Sequence, residues 1–483
     1  MPTPTDVISP LQATPTSSST PAEFRLSEAI AALSYALDIT EGQPQGHAAR
    51  TCLIGMRLAR QIALTPSEQS ALFYALLLKD LGCSSNAAKM CYLFGADDRT
   101  IKHDVKTIDW QRMTENVKFA AQQVAPDGST LERLMRLVAM ALQGPKGGHK
   151  LIETRCERGA SIARQLGFPE ETVAAIHQLD EHWSGHGYPE GRQGAGISLL
   201  ARIACLAQTV EVFLSEFGLR AALQVARDRR GRWFDPQLVD AFLKLEQDTD
   251  FWLQVKLEYP HELVSQFEPP EEVRLVDEAM LNQLALAFAE VVDAKSPWTY
   301  QHSTGVADIA VGIAEVLGYP SDELRVVRRM GLLHDVGKLG VSNAILDKPA
   351  KLTGEEFAVL KRHTYFTQEI LGRVQGFSKH ASIAAAHHEK LNGLGYHRGL
   401  VGDELSPTAR LLCVADIFEA MSAARPYREA MPLEKVLTTM NEEAGQTICA
   451  DSFVALQKWL DRTEFTNRVA DQLAAVQRLV AEL

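Results

Sequence analysis

The feature that most constrains the fold is an internal repeat that relates the two halves of this 483-residue chain. The segment "HAARTCLIGMRLARQIAL", from His47, resembles "HSTGVADIAVGIAEVLGY", from His302. Matching positions are equally spaced in both copies: His47 to Lys79 and His302 to His334, then Asp180 to Gln208 and His388 to Asp416. A duplication of this length predicts two similar domains, each of about 200 residues.

The residues around these motifs follow a helical period. Apolar side chains recur at alternating three- and four-residue spacings in three segments: Leu26, Ile30, Leu33 and Leu37; Leu281, Leu284, Phe288 and Val291; Val306, Ile309, Ile313 and Val316. This period is typical of amphipathic helices, and few strand patterns interrupt it. The sequence therefore predicts an all-α fold of two tandem helical bundles.

Composition along the chain predicts the domain boundaries. Residues 1–23 are dominated by Pro, Thr and Ser and are expected to form a disordered tail. The polar stretch "FEPPEEVRLVDE", residues 267–278, is predicted to be a linker between a first domain over residues 24–266 and a second over residues 279–483. The first copy also holds about 47 extra residues near 98–146, because the repeat offset changes there.

Charge and cysteine usage exclude several classes of protein. A formal net charge of −12 argues against binding a nucleic-acid polymer, which needs a basic face. The seven cysteines are widely spaced without a C-x-x-C pair, which favours reduced thiols and a cytoplasmic protein. No apolar run reaches 18 residues and no secretory signal is present, so neither a membrane span nor export is expected.

One set of residues in the second copy can form a metal site. Its members are imidazoles and carboxylates that recur in order along residues 302–416: His302, His334, Asp335, His363, His387, His388 and Asp416. Such ligands suit first-row divalent metals such as Fe, Mn, Ni or Zn. A carboxylate can bridge two ions, and a pair of ions can hold a phosphodiester and supply hydroxide. Lys338 follows Asp335 by one turn, where it can face a phosphate oxygen.

Each motif alone also has a structural interpretation. A single histidine on an apolar helix face, such as His302, is more often a hydrogen-bonded core residue than a ligand. The His-Asp pair at 334–335 follows an apolar helical stretch, where an unpaired charge is costly to bury. The ordered set of motifs, each with its own flanking pattern, favours the metal site.

The segments "HDVGK", "HHEKLNGLGYHRG" and "VADIFEAMSAARPYR" resemble the HD-GYP branch of the HD-domain phosphohydrolases. The resemblance covers residues 275–483 well and residues 24–245 in outline. It implies a helical enzyme that uses divalent metals, Fe or Mn first and Ni or Zn as alternatives. It also implies hydrolysis of a cyclic dinucleotide, cyclic di-GMP or cyclic GMP-AMP, to a linear dinucleotide.

The same resemblance implies roles for individual residues. His302, His334, Asp335 and Asp416 would hold one metal, and Asp335 would bridge to a second metal held by His363, His387 and His388. Asp335 and Lys338 would be the catalytic residues, with Lys338 stabilising the attacked phosphate. Lys338, Arg425 and Tyr427 would contact the substrate.

Three positions depart from the family pattern. His397 stands where the family has the Pro of its Gly-Tyr-Pro turn, which leaves the choice of cyclic dinucleotide open. Glu419 keeps the charge of a family aspartate that is not a metal ligand. Trp298 occupies the position of the carboxylate that members with three metals carry, so two ions are expected rather than three.

The first copy has lost most of the ligands that the resemblance implies. His47 and Asp80 remain, while the other matched positions are Lys79, Cys83, Arg155, Leu179, Asp180 and Gln208. Two ligands are too few for a dinuclear site, so this half is expected to be inactive and to serve as a regulatory or dimerising module, or to bind a protein partner. The conspicuous loop "DEHWSGHGYPEG" lies in this half, and its two histidines fall at positions where the family has no ligand.

Two alternative functions stay open at this point. The second domain could act on another nucleotide, such as a mononucleotide or an alarmone. The chain could also be a non-enzymatic adaptor that binds nucleotide or partners through its paired helical modules. Seven retained ligands argue against the adaptor, because binding alone does not require them.

Overall fold

The structure is a computed structural model that describes residues 24–126, 128–257, 263–299, 301–423 and 430–463. The predicted tail, residues 1–23, and the last part of the predicted second domain, residues 464–483, lie outside this range. The described residues form helices joined by short turns, with isolated bridges but no sheet. The predicted all-α fold is confirmed.

The first half contains these α-helices: α1 (Leu26–Thr40), α2 (His47–Gln61), α3 (Pro66–Leu78), α4 (Ala87–Phe94), α5 (Asp98–Val105), α6 (Met113–Gln123), α7 (Thr130–Gln165), α8 (Glu170–His177), α9 (Leu199–Phe217), α10 (Leu219–Asp228), α11 (Pro236–Leu243) and α12 (Thr249–Val255). Short 3₁₀ helices cover Cys83–Asn86, Gly194–Gly196, Lys244–Gln247, Ser265–Phe267 and Pro270–Glu272.

The second half contains these α-helices: α13 (Glu278–Asp293), α14 (His302–Val316), α15 (Ser321–Leu333), α16 (Asn343–Leu346), α17 (Gly354–Gly372), α18 (Gln375–Ser378), α19 (Ala381–Ala384), α20 (Pro407–Ser422), α21 (Leu433–Glu443) and α22 (Ala450–Arg462). Its 3₁₀ helices are Pro297–Thr299, Val336–Gly340 and Gly402–Glu404.

The duplication is visible in the helix boundaries. Helices α2 and α14 both begin at the first histidine of their copy and both have 15 residues. Helices α3 and α15 follow at the same spacing and both have 13 residues. The extra segment of the first copy forms α5, α6 and the beginning of α7. The two tandem helical bundles predicted from the repeat are confirmed.

The predicted apolar stripes form the core. Leu26, Ile30, Leu33 and Leu37 of α1 are fully buried, as are Val306 and Ile313 of α14. One continuous hydrophobic core contains residues from both halves. Close packing of α1 against the second half therefore fixes one half relative to the other.

The predicted linker packs against the first half. Glu268 is buried and accepts hydrogen bonds from Ser27 Oγ (2.7 Å) and Tyr74 Oη (2.6 Å). The Leu26 backbone N–H donates to the Arg274 carbonyl over 2.7 Å. Because a buried carboxylate with two hydrogen-bond donors is held in one position, residues 267–278 are packed against the first half and are not a free linker. The exact domain boundaries stay a prediction.

The described residues contain no helix that is long and apolar enough to cross a lipid bilayer.

Candidate metal centre

The ends and inner faces of several helices bring the predicted ligands together. His302 begins α14, and His334 and Asp335 follow the last residue of α15. The remaining ligands lie later in the same copy of the repeat: His363 on α17, His387 and His388 after α19, and Asp416 on α20. The side chains lie within metal-ligating distance of one another in overlapping groups.

Asp335 lies at the middle of this cluster, and its two oxygens face different histidines. Its Oδ2 is 3.4 Å from His302 Nε2 and 3.3 Å from His334 Nε2. Its Oδ1 is 3.5 Å from both His363 Nε2 and His387 Nε2. This division is the arrangement of a carboxylate that bridges two cations.

Asp416 completes the outer side of the cluster. Its Oδ1 lies 3.3 Å from His302 Nε2, and its Oδ2 lies 3.5 Å from His388 Nδ1. His388 is the most exposed of the imidazoles, with 26% of its side chain accessible. The Tyr396 ring packs at a tilt against the His388 ring, with 4.4 Å between centroids, so the turn that follows covers this edge of the cluster.

Backbone carbonyls set the orientation of three imidazoles. The Nδ1–H groups of His334, His363 and His387 each donate over 2.7 Å to a carbonyl three residues earlier: Gly331, Leu360 and Ala384, respectively. A carbonyl only accepts, so each ring carries its proton on Nδ1 and turns Nε2 towards Asp335. Such bonds to the outer nitrogen are the usual way to orient metal-binding histidines.

His302 has a carboxylate instead of a carbonyl at this position. Its Nδ1 is hydrogen-bonded to Glu419, which is buried. In the first half His47 makes the same contact with Glu211, which occupies the same repeat position. The sequence pattern alone indicates only that Glu419 retains a charge. The presence of glutamate at this position in both copies is the sequence feature that indicates its role in orienting the histidine.

A glycine allows the loop after Asp335 to approach α17 closely. A Cβ added to Gly337 would lie 1.9 Å from the His363 carbonyl oxygen. The Gly337 N–H donates to Thr367 Oγ1 (3.0 Å), and that hydroxyl donates to the His334 carbonyl (2.8 Å). These contacts fix Asp335 relative to His363.

The electrostatics around Asp335, His363 and His388 favour metal-binding protonation states of these three residues. Burial opposes ionisation of Asp335, but Lys338 and His334 outweigh it and hold the pKa of Asp335 well below its ordinary value. Burial lowers the pKa of His363 to about 3 and that of His388 well below its ordinary range. At neutral pH the carboxylate is therefore charged and these imidazoles have free lone pairs, as metal ligands require.

The residues fit a divalent cation in a second respect. His334 Nε2 and Asp335 Oδ1 are buried, and neither atom has a hydrogen-bond partner among the described residues. Leaving such atoms unpaired is costly unless a ligand satisfies them. His334, His363, His387 and Asp335 offer nitrogen and oxygen donors, a set that suits first-row metals.

The predicted substrate contacts are described only in part. Lys338 forms an ion pair with Asp335 and has 19% of its side chain accessible, so its ammonium group borders the cluster. Arg425 and Tyr427 lie outside the described residues. His397, which replaces the family proline, is hydrogen-bonded to Thr364 Oγ1 over 2.8 Å and does not contact Asp335 in any described interaction.

The equivalent centre of the first half contains side-chain cations. The Lys79 ammonium forms an ion pair with Asp80 and lies 2.9 Å from His47 Nε2. Lys106 Nζ lies 2.8 Å from Glu41 Oε2 and 3.7 Å from Asp80 Oδ1. All five side chains are largely buried. The two ammonium groups neutralise the carboxylates that would otherwise attract a metal.

The second part of this centre is altered in the same way. Arg155, which stands at the position of His363, forms an ion pair with Asp180, which stands at the position of His388. Leu179, at the position of His387, is buried in the core, and Gln208 replaces Asp416. Glu41, Asp80 and Cys83 also lie within ligand distance of one another, but Lys79 and Lys106 already neutralise the two acids.

The loop "DEHWSGHGYPEG" has a packing role. His182 is buried and stacks on Trp233 with ring centroids 3.9 Å apart. Burial, followed by the nearby Arg229, lowers the pKa of His182 to about 3, so the ring is neutral at physiological pH. Glu181 accepts the Glu190 N–H over 2.7 Å and closes the turn. The histidine and acidic residues that make this loop resemble an active site therefore stabilise the fold of the first half.

Asp80→Asn should destabilise the chain without changing its metal content. The substitution leaves Lys79 buried without its counter-charge and Lys106 with Glu41 alone. We expect this to lower the free energy of unfolding by about 3–5 kcal/mol. Urea unfolding and elemental analysis measure the two effects. The control is Asp240→Asn, an exposed ion-pair residue whose loss should cost at most about 1 kcal/mol. A fall in bound metal in Asp80→Asn would contradict the assignment of this centre.

Comparisons with known proteins show the family of this chain. The family described as "HD domain" matches residues 148–238 and 287–451, which include parts of both halves. The chain is 43% identical over 438 residues to the 3'3'-cGAMP-specific phosphodiesterase 3 of Vibrio cholerae, covering 91% of this chain and 95% of that protein. It is 33% identical over 217 residues to the cyclic di-GMP phosphodiesterase response regulator of Xanthomonas campestris, covering 44% and 56%, respectively.

A solved structure supports the same relationship. The crystal structure of a cyclic GMP-AMP-specific phosphodiesterase of V. cholerae aligns with a TM-score of 0.63 and 39% sequence identity. The alignment covers 91% of this chain and 98% of that chain, so it includes both halves and the segment between them. This chain therefore belongs to the HD-GYP branch of the HD-domain family, with a degenerate first copy of the domain.

Proposed function

We propose that this chain is a metal-dependent phosphodiesterase that opens a cyclic dinucleotide, 3'3'-cGAMP in the first place, to a linear dinucleotide. The observation that carries the proposal is the central carboxylate of Asp335, whose two oxygens each face two imidazoles. The V. cholerae relative that matches nearly the whole chain is named for 3'3'-cGAMP, and shorter matches are named for cyclic di-GMP. These names favour a cyclic dinucleotide over a mononucleotide, and the retained ligands favour an enzyme over an adaptor.

In the reaction, water adds to phosphorus, the bond from phosphorus to a ribose 3' oxygen breaks, and that oxygen takes a proton. When bound, two divalent cations supply Lewis-acid stabilisation of the phosphate and lower the pKa of water. The Lys338 ammonium binds a non-bridging phosphate oxygen and neutralises the charge that develops there. Tyr396, which packs against His388 at the accessible edge, orients the cyclic dinucleotide.

The ligands divide into two sets that share Asp335. His302, His334 and Asp416 would hold one cation, while His363, His387 and His388 would hold the other. Fe or Mn suits this nitrogen and oxygen set best, and Ni or Zn is compatible with it. Two ions rather than three follow from Trp298 at the position where a third site needs a carboxylate.

Residues 24–266 form a non-catalytic half in this proposal. Buried ammonium and guanidinium groups occupy the centre that corresponds to the metal site. The homodimer or protein partner expected for this half stays a prediction, as do the substrate contacts of Arg425 and Tyr427.

Turnover of a nucleotide panel tests the proposal. The purified chain, loaded with Mn²⁺, is supplied with 3'3'-cGAMP, cyclic di-GMP, cyclic di-AMP and a guanosine alarmone, and products are separated by chromatography. We expect linear dinucleotide from 3'3'-cGAMP with the highest kcat/KM of the four. Hydrolysis of the alarmone alone, or stoichiometric binding without any product, would overturn the proposal.

A further inference from the structure

Helix α5 of the first half contacts the loop that carries the catalytic residues of the second half. Asp98, at the start of α5, is fully buried, and its Oδ1 accepts the backbone N–H of Asn343 over 2.9 Å. The neighbouring Arg99 donates from Nη1 to the Gly340 carbonyl over 2.8 Å. Gly340 ends the 3₁₀ helix that follows Asp335 and contains Lys338, and Asn343 begins α16 three residues later.

Asp98 also reaches the segment that precedes His302. Its Oδ2 lies 3.6 Å from Lys295 Nζ, and Lys295 is almost fully buried. The side chain of Asn343 donates from Nδ2 to the Lys295 carbonyl over 2.7 Å. Asp98 and Asn343 thus join the segment before His302 to the loop after Asp335.

The other end of this contact is anchored in the first half. Lys102 lies on the next turn of α5, with its Nζ 3.4 Å from Asp98 Oδ2 and 3.9 Å from Glu41 Oε1. Glu41 is paired in turn with Lys106, which reaches Asp80. A series of buried ion pairs therefore connects the degenerate centre to Asp98. The positions of these side chains are fixed, because separating any pair would leave an uncompensated buried charge.

We propose that Asp98 is a positioning residue for the metal centre, through which the first half holds the loop of Asp335 and Lys338 in place. The catalytic part of this inference rests on the proposed function. Helix α5 belongs to the segment that the second copy lacks, so the contact has no counterpart within the repeat. It gives the degenerate half a role in the reaction without a metal of its own.

Local hydrogen exchange tests the proposal independently of turnover. In Asp98→Ala the Asn343 amide loses its acceptor, so exchange within residues 336–347 should accelerate about tenfold, while α20 stays protected. With substrate, kcat should fall about 10–100-fold, with KM changed by less than about threefold. An ion pair that only stabilised the fold would lower the unfolding midpoint and leave native-state exchange at residue 343 unchanged.

Conservative variants separate the hydrogen bond from the charge. Asp98→Asn combined with Lys295→Met keeps an oxygen acceptor for Asn343, removes the Asp98–Lys295 ion pair and leaves Lys102 beside Glu41. This variant should restore exchange and kcat to within about threefold of the parent. Arg99→Met changes a partly exposed position and leaves no buried charge without a partner. Hydrogen exchange in residues 336–342 should accelerate in this variant even if Asp98→Ala fails to fold. The control is Glu170→Gln, an exposed ion-pair residue of the same half.

The outcomes separate the two claims. A chain that hydrolyses no cyclic dinucleotide defeats the proposed function, while exchange in residues 336–347 still decides the role of Asp98. Unchanged exchange in both Asp98→Ala and Arg99→Met would overturn the positioning role. The positioning role would also be overturned if exchange and kcat in Asp98→Asn/Lys295→Met were as impaired as in Asp98→Ala.

Discussion

Replacing Asp335 with alanine is expected to abolish turnover of the cyclic dinucleotide and to remove the bound divalent cations. Each oxygen of this carboxylate lies between 3.3 and 3.5 Å from two imidazoles, Oδ2 facing one ligand set and Oδ1 the other. Without it, neither set has its shared ligand. Loss of the cations should lower kcat by more than about 10³-fold. Elemental analysis and product chromatography on the same sample measure both effects.

Two further variants make this result specific. Asp335→Asn keeps the side-chain volume and removes the charge, so a folded protein with the same loss excludes general unfolding as the cause. Asp403→Ala removes a fully exposed carboxylate of the same half and should leave metal content and kcat unchanged. Turnover by Asp335→Ala within tenfold of the parent would contradict the role of Asp335.

The second large effect is expected for Lys338→Met. This substitution keeps the length of the side chain and removes its positive charge. Lys338 stands beside Asp335 and is partly accessible, so we expect it to bind the phosphate oxygen on which charge develops. Loss of one such contact in a shielded site lowers kcat by about 10²–10³-fold. Steady-state kinetics with 3'3'-cGAMP measures the change.

The division between kcat and KM distinguishes this role from simple substrate binding. Transition-state stabilisation predicts that kcat falls and that KM and metal content stay near the parent values. Lys351→Met, which removes an exposed lysine of the same half, is the matched control. A raised KM with unchanged kcat would show that Lys338 binds the ground state only.

The sequence predicted the helical fold and the members of the cluster for distinct physical reasons. Helical periodicity depends on local spacing, so stripes such as Leu281 to Val291 could be assigned directly and are buried. The ligands could be grouped because matched spacings in a repeat restrict which motifs meet. His302, His334, His363 and His387 lie in two pairs around Asp335, and their division between two metals stays a proposal.

Contacts between distant polar side chains could not be predicted in this way. The polarity of residues 267–278 indicated a linker, but Glu268 finds donors at Ser27 and Tyr74 on the first half. The contact of Asp98 with Asn343 depends on how an inserted helix docks, and one copy of a repeat gives no information about a segment that it lacks. Spacing fixes which residues share a helix face, whereas tertiary packing decides which polar partners meet.

Titration of the metal-free chain with Mn²⁺, with linear dinucleotide from 3'3'-cGAMP as the readout, tests the central claim most directly. The account predicts no product in the presence of chelator and a rise that reaches its plateau at about two equivalents of Mn²⁺ per chain. Turnover by the metal-free chain would contradict a metal-dependent reaction. A plateau near four equivalents would contradict the assignment of one metal centre to the second half and none to the first.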